Sequence, residues 1–591
     1  MSSVGSNQSK LSRLCATVAV AAALVGTCVA QQGHIGVPQD WSTRHMIFTN
    51  LSSPEKAAAV ADDPRAWIHW AQHTSPLLRA ISRRSGRVLD GAEPEFDRFS
   101  TSTVKGKQKN SKIDWAISLG NNGGMPVAET PAKYSFDISL APDCTKDFVV
   151  YVIAATPGAG QANIVAFNNL YNGTGTGQQT CGGMEATTMW SYRVGNGPNF
   201  LSPVLSLDGK KVAFISSSTP NATFNVLTWV AGQGSSPTSP VAPGTGGSSV
   251  ISLDYTNVST AGCTANAAAD SNSSPFIDYK NNAAYVGADN GKLYRIKNVF
   301  SGTPTVDYCI TVSANRALTS PVFDSFAGKV FISDGQSVFG FTPGASSFTA
   351  AGSIQVAGTP GSIILSPMVD GFNGWVYVFS GNNLANTNTI VSQMPTTLAS
   401  HVDVLLGPSF NGQYILDGDF DNKYYNNGPA AGTLYACGTQ AGSNAKPALY
   451  AMSFAANGVI NTTPAVNGNI RINAGTNPDS VCSPLFSFFD GTTDRLFVGT
   501  GSINSTTGSN MVTMWNITNR LASATTAPTA TATGYAGGSS AFTIDNNATS
   551  VPQAASIYFG TLAPGGSTAS GTRKCGANNY CAVKLTQSVL Q

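Results

Sequence analysis

The chain has 591 residues, of which only 11% are charged, with 33 Lys plus Arg set against 31 Asp plus Glu. With a balance this even, a nucleic-acid-binding surface is not expected. The 61 glycines, with Ser, Thr and Asn crowding the connections, suit many short strands joined by tight turns.

At the N-terminus, Lys10 and Arg13 precede the apolar run LCATVAVAAALVGTCVA, which ends in Cys28-Val29-Ala30. A basic start, a short apolar core and a small-residue end read as a secretory signal peptide over residues 1–30. Thr27 is a poor residue before a lipid-modified cysteine, so a lipoprotein reading of Cys28 is not favoured. No later segment approaches the roughly 20 uninterrupted apolar residues of a membrane span. The expectation is therefore a chain secreted to the periplasm or the extracellular space, with no membrane span.

Residues 31–112 read as an N-terminal helical segment followed by a linker. The stretch Ser53 to Arg84 has helix formers, with Trp67, Ile68, Ala71 and Leu78 at roughly helical spacing, which predicts one or two amphipathic helices. Trp67 to Trp70 read either as a docking helix or, better, as an apolar face that packs on the rest of the chain. GAEPEFDRFSTSTVKGKQKNSK is charged and poor in apolar residues, as a linker is. IDWAISLG, residues 113–120, then resumes strand-like alternation.

Beyond it a phrase recurs: Ser202-Pro203, Ser274-Pro275, Ser320-Pro321, Ser366-Pro367 and Ser483-Pro484 each open a strand, a turn and a second strand. Self-similarity at about 45 to 70 residues in units made only of short strands points to propeller blades. Eight inner strands are assigned, from Lys133, Ser202, Ser274, Ser320, Ser366, Gln413, Ser483 and Ser540. The second strands, such as NAAYVGA, GKVFIS and WVYVFS, are nearly continuous apolar runs, as strands buried on both faces are. Turn dipeptides such as Asp-Gly and Asn-Gly between the two supply the positive φ of a tight hairpin. The fold expected is all-β: a propeller of four-stranded blades, eight preferred and seven the alternative, over residues 113–591. The eighth unit ends without a fourth strand, and residues 113–120 have no blade of their own. The N-terminal strand is therefore expected to complete the C-terminal blade and remove both open edges.

Eight cysteines remain after the signal peptide, and an even count in an exported chain reads as disulfides. Sequential pairing, Cys144 with Cys181, Cys263 with Cys309, Cys437 with Cys482 and Cys575 with Cys581, places every bridge on a single face of the blades. Zinc would need close cysteine pairs with histidines nearby, and there are none.

At DNGKLYRI after AAYVGA, and at SLDGKKVAFIS, the chain resembles the quinoprotein-like and WD40-like propeller superfamilies, and in particular long exported bacterial proteins of this repeat type. The likeness covers roughly residues 131 to 588 and implies the fold. The adjacent cysteine pair and tryptophan-bearing blade motif of the quinoprotein dehydrogenases are absent, so the resemblance implies no cofactor.

For chemistry, Asp417, Asp419 and Asp421 stand at alternate positions and are a candidate calcium site, calcium preferring six to eight oxygens. The position that an EF-hand fills with glycine is Asn422, and its bidentate glutamate is Gly428, so that cage is incomplete. His401, beside Asp403, is the sole histidine among the repeats and reads as a hydrogen-bonded structural residue rather than a general base. Asp208, Asp278, Asp324 and Asp370 recur after the inner strands, where recurrence indicates a turn role. No catalytic residue and no cofactor other than calcium is assigned. The expected function is an exported non-catalytic binding or scaffold module with a protein or glycan ligand; the alternative is a propeller enzyme acting on carbohydrate, or a quinoprotein-like oxidoreductase. A carboxylate with Arg and His at one mouth of the channel would favour the enzyme, whereas a channel plugged by apolar and hydroxyl side chains would favour binding.

Overall fold

The computed structural model describes residues 36–73 and 113–586 apart from short internal stretches, the longest being 472–479, 503–510 and 566–574. The expected signal peptide and the expected linker lie outside the described residues. Eight antiparallel sheets of four strands or more form a propeller ring. Blade four is typical: Val322–Asp324, Lys329–Ser333, Ser337–Pro343 and Phe348–Gln355 run from the axis outwards. Burial falls along that direction. In blade three the second strand Ala283–Gly287 is wholly buried, as its unbroken apolar sequence requires, whereas the outermost strand of blade two, Ser249–Asp254, is largely exposed. Between first and second strands, Asn282, Gly328 and Gly374 hold positive φ immediately before the second strand. Only Gly and Asn adopt that conformation at little cost, which is why the turn dipeptides recur.

Closure follows the expected arrangement. Ile113–Gly120 pairs with Tyr580–Thr586, which continues to Ala555–Gly560 and Thr543–Asn546, so the eighth blade combines a strand that precedes blade one with the last described strands. Blade seven is irregular: its inner edge is split into Ser480–Cys482 and Phe486–Phe489, both paired with the long strand Asp494–Ser502.

The Ser-Pro phrase has a role beyond starting strands. The backbone N–H of Ser202 donates to Ser274 Oγ at 2.9 Å, and that of Ser274 to Ser320 Oγ at 2.7 Å. The N–H of Thr130, whose Thr130-Pro131 is a copy of the phrase that the sequence reading passed over, donates to Ser202 Oγ. A belt of serines thus ties four consecutive blades around one mouth of the channel, and satisfies N–H groups that sheet pairing leaves over.

All four expected disulfides are present, at sequence separations of 37, 46, 45 and 6 residues. Cys144–Cys181 joins the first-to-second and third-to-fourth connections of blade one. The other three sit with the opposite connections, so each bridge keeps to one face but the four do not share it.

The departure from expectation is the N-terminal segment, which the sequence reading set ahead of the propeller. Val37–Gln39 is a strand on the axial side of Ala132–Ser135, giving blade one five strands. Ser42–His45 is a helical turn, Met46 forms a parallel bridge to Val369 of blade five, and helices follow at Pro54–Ala59 and Pro64–His73. Nearly every residue from Val37 to Thr49 is buried.

Candidate functional site

The segment 36–73 reaches inner-strand residues of five blades. Beyond its pairing with blades one and five, Trp41 Nε1 donates to Pro275 O and Arg65 Nη2 to Ile277 O, both of blade three. Arg44 Nη1 donates to Asp417 Oδ2 of blade six at 2.5 Å and to Leu485 O of blade seven at 2.9 Å. Only a segment inside the ring can touch so many inner strands, so it is a plug of the channel.

The plug is polar where it crosses the channel. Arg65 is held by Asp63 and Ser42 Oγ and lies 4.1 Å from the centroid of Phe276, a cation–π contact made stronger by exclusion of water. Burial is the main cause of the shifts of Asp417, His45 and His69. It pushes the Asp417 carboxyl up to about 6 despite Arg44, pulls His45 down to about 3 and His69 to about 4, and keeps the imidazoles neutral. Each neutral ring donates to a carbonyl: His45 Nδ1 to Pro367 O, His69 Nε2 to Thr43 O. His73 stacks on Tyr425 with ring centroids 3.6 Å apart. Trp67 Nε1 donates to Ala61 O, and Trp70 packs on the main apolar core, so the helix Pro64–His73 turns its apolar face to the propeller.

Above the plug, at the mouth carrying the serine belt, a cavity of about 640 Å³ is open. Trp41, Arg44 and His45 of the plug form its floor. Ser202, Ser274, Ser320 and Ser366 mark its wall, with apolar surface from Leu201, Leu318 and Ile363. Glu129 also faces it, accepting from Ser202 Oγ at 2.5 Å and Ser274 Oγ at 3.2 Å; burial raises its pKa while those hydroxyls hold it down. At the rim, Arg316 donates to Asp334 at 3.2 Å and to Gln336, and the side chain of Phe200 is exposed. A smaller cavity, about 340 Å³, lies at the opposite mouth against Asp62, Asp63 and Phe326.

The aspartates expected to bind calcium are used otherwise. Asp417 is paired with Arg44 and accepts from Leu485 N–H; Asp419 accepts from Tyr425 Oη and Ser487 N–H; Asp421 caps the helix Asn422–Asn427 by accepting from Tyr424 N–H, and also accepts from Thr433 N–H. Their spacing resembles a cation loop, but Gly418–Phe420 is a strand, which sets alternate residues about 6.6 Å apart. A cation binding here would have to displace these donors. Among the described residues no group of three or more His, Cys, Asp or Glu side chains is placed to hold a metal ion.

His401 Nδ1 lies 2.7 Å from Asp403 Oδ1, the same-side pairing that alternation implies. That carboxylate, the first cause of the raised pKa of His401, also accepts from Ser392 Oγ. The pair starts an outer strand, far in the blade from the channel. Asp208, Asp278, Asp324 and Asp370 accept turn N–H groups from Lys210, Asn281, Phe326 and Asn373, the role recurrence indicates. Sequence reasoning missed Arg44, Glu129 and Trp41. The Thr130-Pro131 copy of the phrase, one residue after Glu129, was the available signal for the second of these.

The fold is an eight-bladed β-propeller. Solved structures similar to the chain include BamB from Moraxella catarrhalis (10% identity, 80% of this chain and 99% of that one, TM-score 0.35) and Sqt1 from Saccharomyces cerevisiae (9%, 81% and 100%, 0.41). A putative 6-phosphogluconolactonase from Bacteroides fragilis is similar at 12% identity over 64% of this chain and 92% of that one, with a TM-score of 0.37. No protein-family model and no curated protein matches the chain.

Proposed function

We propose that the protein is an exported, non-catalytic binding module whose ligand, a glycan end or a protruding group of a protein partner, enters the cavity above the plug. The observation that carries the reading is the plug itself. A channel filled by the chain's own segment offers a shaped pocket with a fixed floor, and its volume lies within the usual roughly 300–1,000 Å³ of a ligand site. The polar groups of the floor are already bound to blade residues, Trp41 to Pro275 O, Arg44 to Asp417 and His45 to Pro367 O, which suits recognition by shape and by rim contacts from Phe200 and Arg316. Four disulfides support export, since such bonds persist in oxidising compartments.

One observation favours the alternative enzyme: Glu129, Arg44 and His45 line the same cavity. Glycoside hydrolysis, however, uses a pair of carboxyl groups flanking the bond; here the second carboxyl of the lining, Asp334, is engaged by Arg316, and an imidazole held neutral down to about pH 3 and donating to a carbonyl is a poor proton carrier.

The test is a glycan and peptide array probed with the wild type and with Phe200→Ala/Arg316→Ala. A ligand held by the wild type and lost from the variant supports the reading. A ligand held equally by both, or turnover of a glycoside that Glu129→Gln abolishes, overturns it.

A further inference from the structure

The seam between blades eight and one is where a ring closed by strand pairing is open to unzipping, and no disulfide crosses it: the bridges within blades one and eight are local. Across that seam Lys133, on the inner strand of blade one, faces Asp545, on the inner strand of blade eight, with Nζ 3.3 Å from Oδ2. Both side chains are 1% exposed or less. A third group, Asp147 at the start of blade one's second strand, is 1% exposed and accepts from Phe136 N–H at 2.7 Å and Asp143 N–H at 3.1 Å. Tyrosine rings complete the surroundings: Tyr171 Oη donates to Asp147 and Tyr558 Oη lies 3.5 Å from Asp545 Oδ2. The other buried lysine of the seam, Lys584, differs. It donates to Leu170 O and Gln553 Oε1, and its carboxylate neighbour Asp114 is 4.0 Å away.

Burying an ammonium–carboxylate pair in such a site gains little over a neutral replacement. We propose that Lys133 and Asp545 condense into an intramolecular isopeptide bond that covalently closes the ring, with Asp147 as the acid that assists. Proton transfer from Nζ to the Asp545 carboxylate within the pair gives a neutral amine and a neutral acid. The Nζ lone pair adds to Cγ of Asp545, forming the new C–N bond. The tetrahedral adduct then loses its hydroxyl with a proton from the Asp147 carboxyl, which recovers a proton from the nitrogen. One amide and one water are the products, and no oxidant or second reactant is needed. The site has what such a step requires: reacting groups fixed in contact by two inner strands, exclusion of water that would compete, and a neutral product more stable there than the charged reactants. Burial and the Asp545 charge favour the protonated form of Asp147, while Lys133 and its hydrogen-bond donors oppose it.

The test is mass spectrometry of the reduced, denatured chain beside Lys133→Arg and Asp147→Asn. The wild type is expected to be lighter than its sequence by one water, to resist trypsin at Lys133, and to give one branched peptide containing Lys133 and Asp545; both variants are expected at full mass. A wild-type chain at full mass, with Lys133 and Asp545 in separate linear peptides, overturns the proposal, and that reading needs no variant to fold. A water lost equally by wild type and Lys133→Arg, or a branch point elsewhere, overturns it too.

Discussion

The second strand of blade four and the plug at the ring's centre are equally buried and chemically opposite. Val330, Phe331 and Ile332 are inaccessible and apolar, whereas Asp40, Arg44, His45, Arg65 and His69 are no more than 3% exposed and all can carry charge. The blade gains stability from area removed from water, which is non-directional and tolerates any apolar residue of similar size. The plug gains it from matched partners, so its free energy depends on each partner staying in place. One region tolerates substitution and resists pH; the other does neither.

Breaking that matching gives the largest expected effect. Arg44→Ala leaves Asp417 buried without its cation, and the loss expected is about 3–5 kcal/mol, read from urea unfolding. Arg44→Ala/Asp417→Leu should recover most of it, since a neutral apolar pair removes the stranded charge. A double variant as unstable as the single one would show that the plug is not held by this pair.

The disulfides sharpen the blade side. Removing Cys263–Cys309, which closes 46 residues, is expected to cost about 4 kcal/mol, and Cys575–Cys581, which closes 6, about 2 kcal/mol by chain entropy. Equal losses would mean that native-state effects, not chain entropy, set the contribution.

A smaller effect separates the plug by pH. His45 has a folded pKa of about 3 against 6.5 unfolded, so the folded state binds fewer protons and stability falls as pH drops below about 6.5. Asp417 and Asp419, raised to about 6, act in the opposite sense, adding stability as pH falls through 6 towards the ordinary carboxyl range. Comparing His45→Gln with the wild type isolates the histidine. The variant should gain on the wild type by about 2 kcal/mol between pH 8 and pH 5. A difference independent of pH would mean that His45 is not held neutral. The smallest expected effect is that of calcium: melting with calcium and with chelator should coincide, because the carboxylates of Asp417, Asp419 and Asp421 already have donors.

The same contrast explains what was legible. The blades repeat, so Ser-Pro, the apolar second strand and the Asn or Gly turn each appear several times, and repetition separates a rule from an accident. The closing strand and the four disulfides followed because each rests on position within that repeat. The plug occurs once. Val37–Gln39 is too short to show a period, and Arg44 finds its carboxylate 373 residues away, a pairing no local pattern encodes. The Asp417-x-Asp-x-Asp spacing shows three neighbouring carboxylates but not the donors, Leu485 N–H, Tyr425 Oη and Tyr424 N–H among them, that the fold brings to each.

Hydrogen exchange of the plug amides tests the central claim most directly. Ile47 N–H donates to Val369 O at 2.8 Å and Asn50 N–H to Tyr425 O at 2.8 Å, inside the ring. If residues 36–50 fill the channel, these amides should exchange as slowly as those of the inner strands and be released only with global unfolding. Exchange within seconds under native conditions, while the blades stay protected, would contradict it.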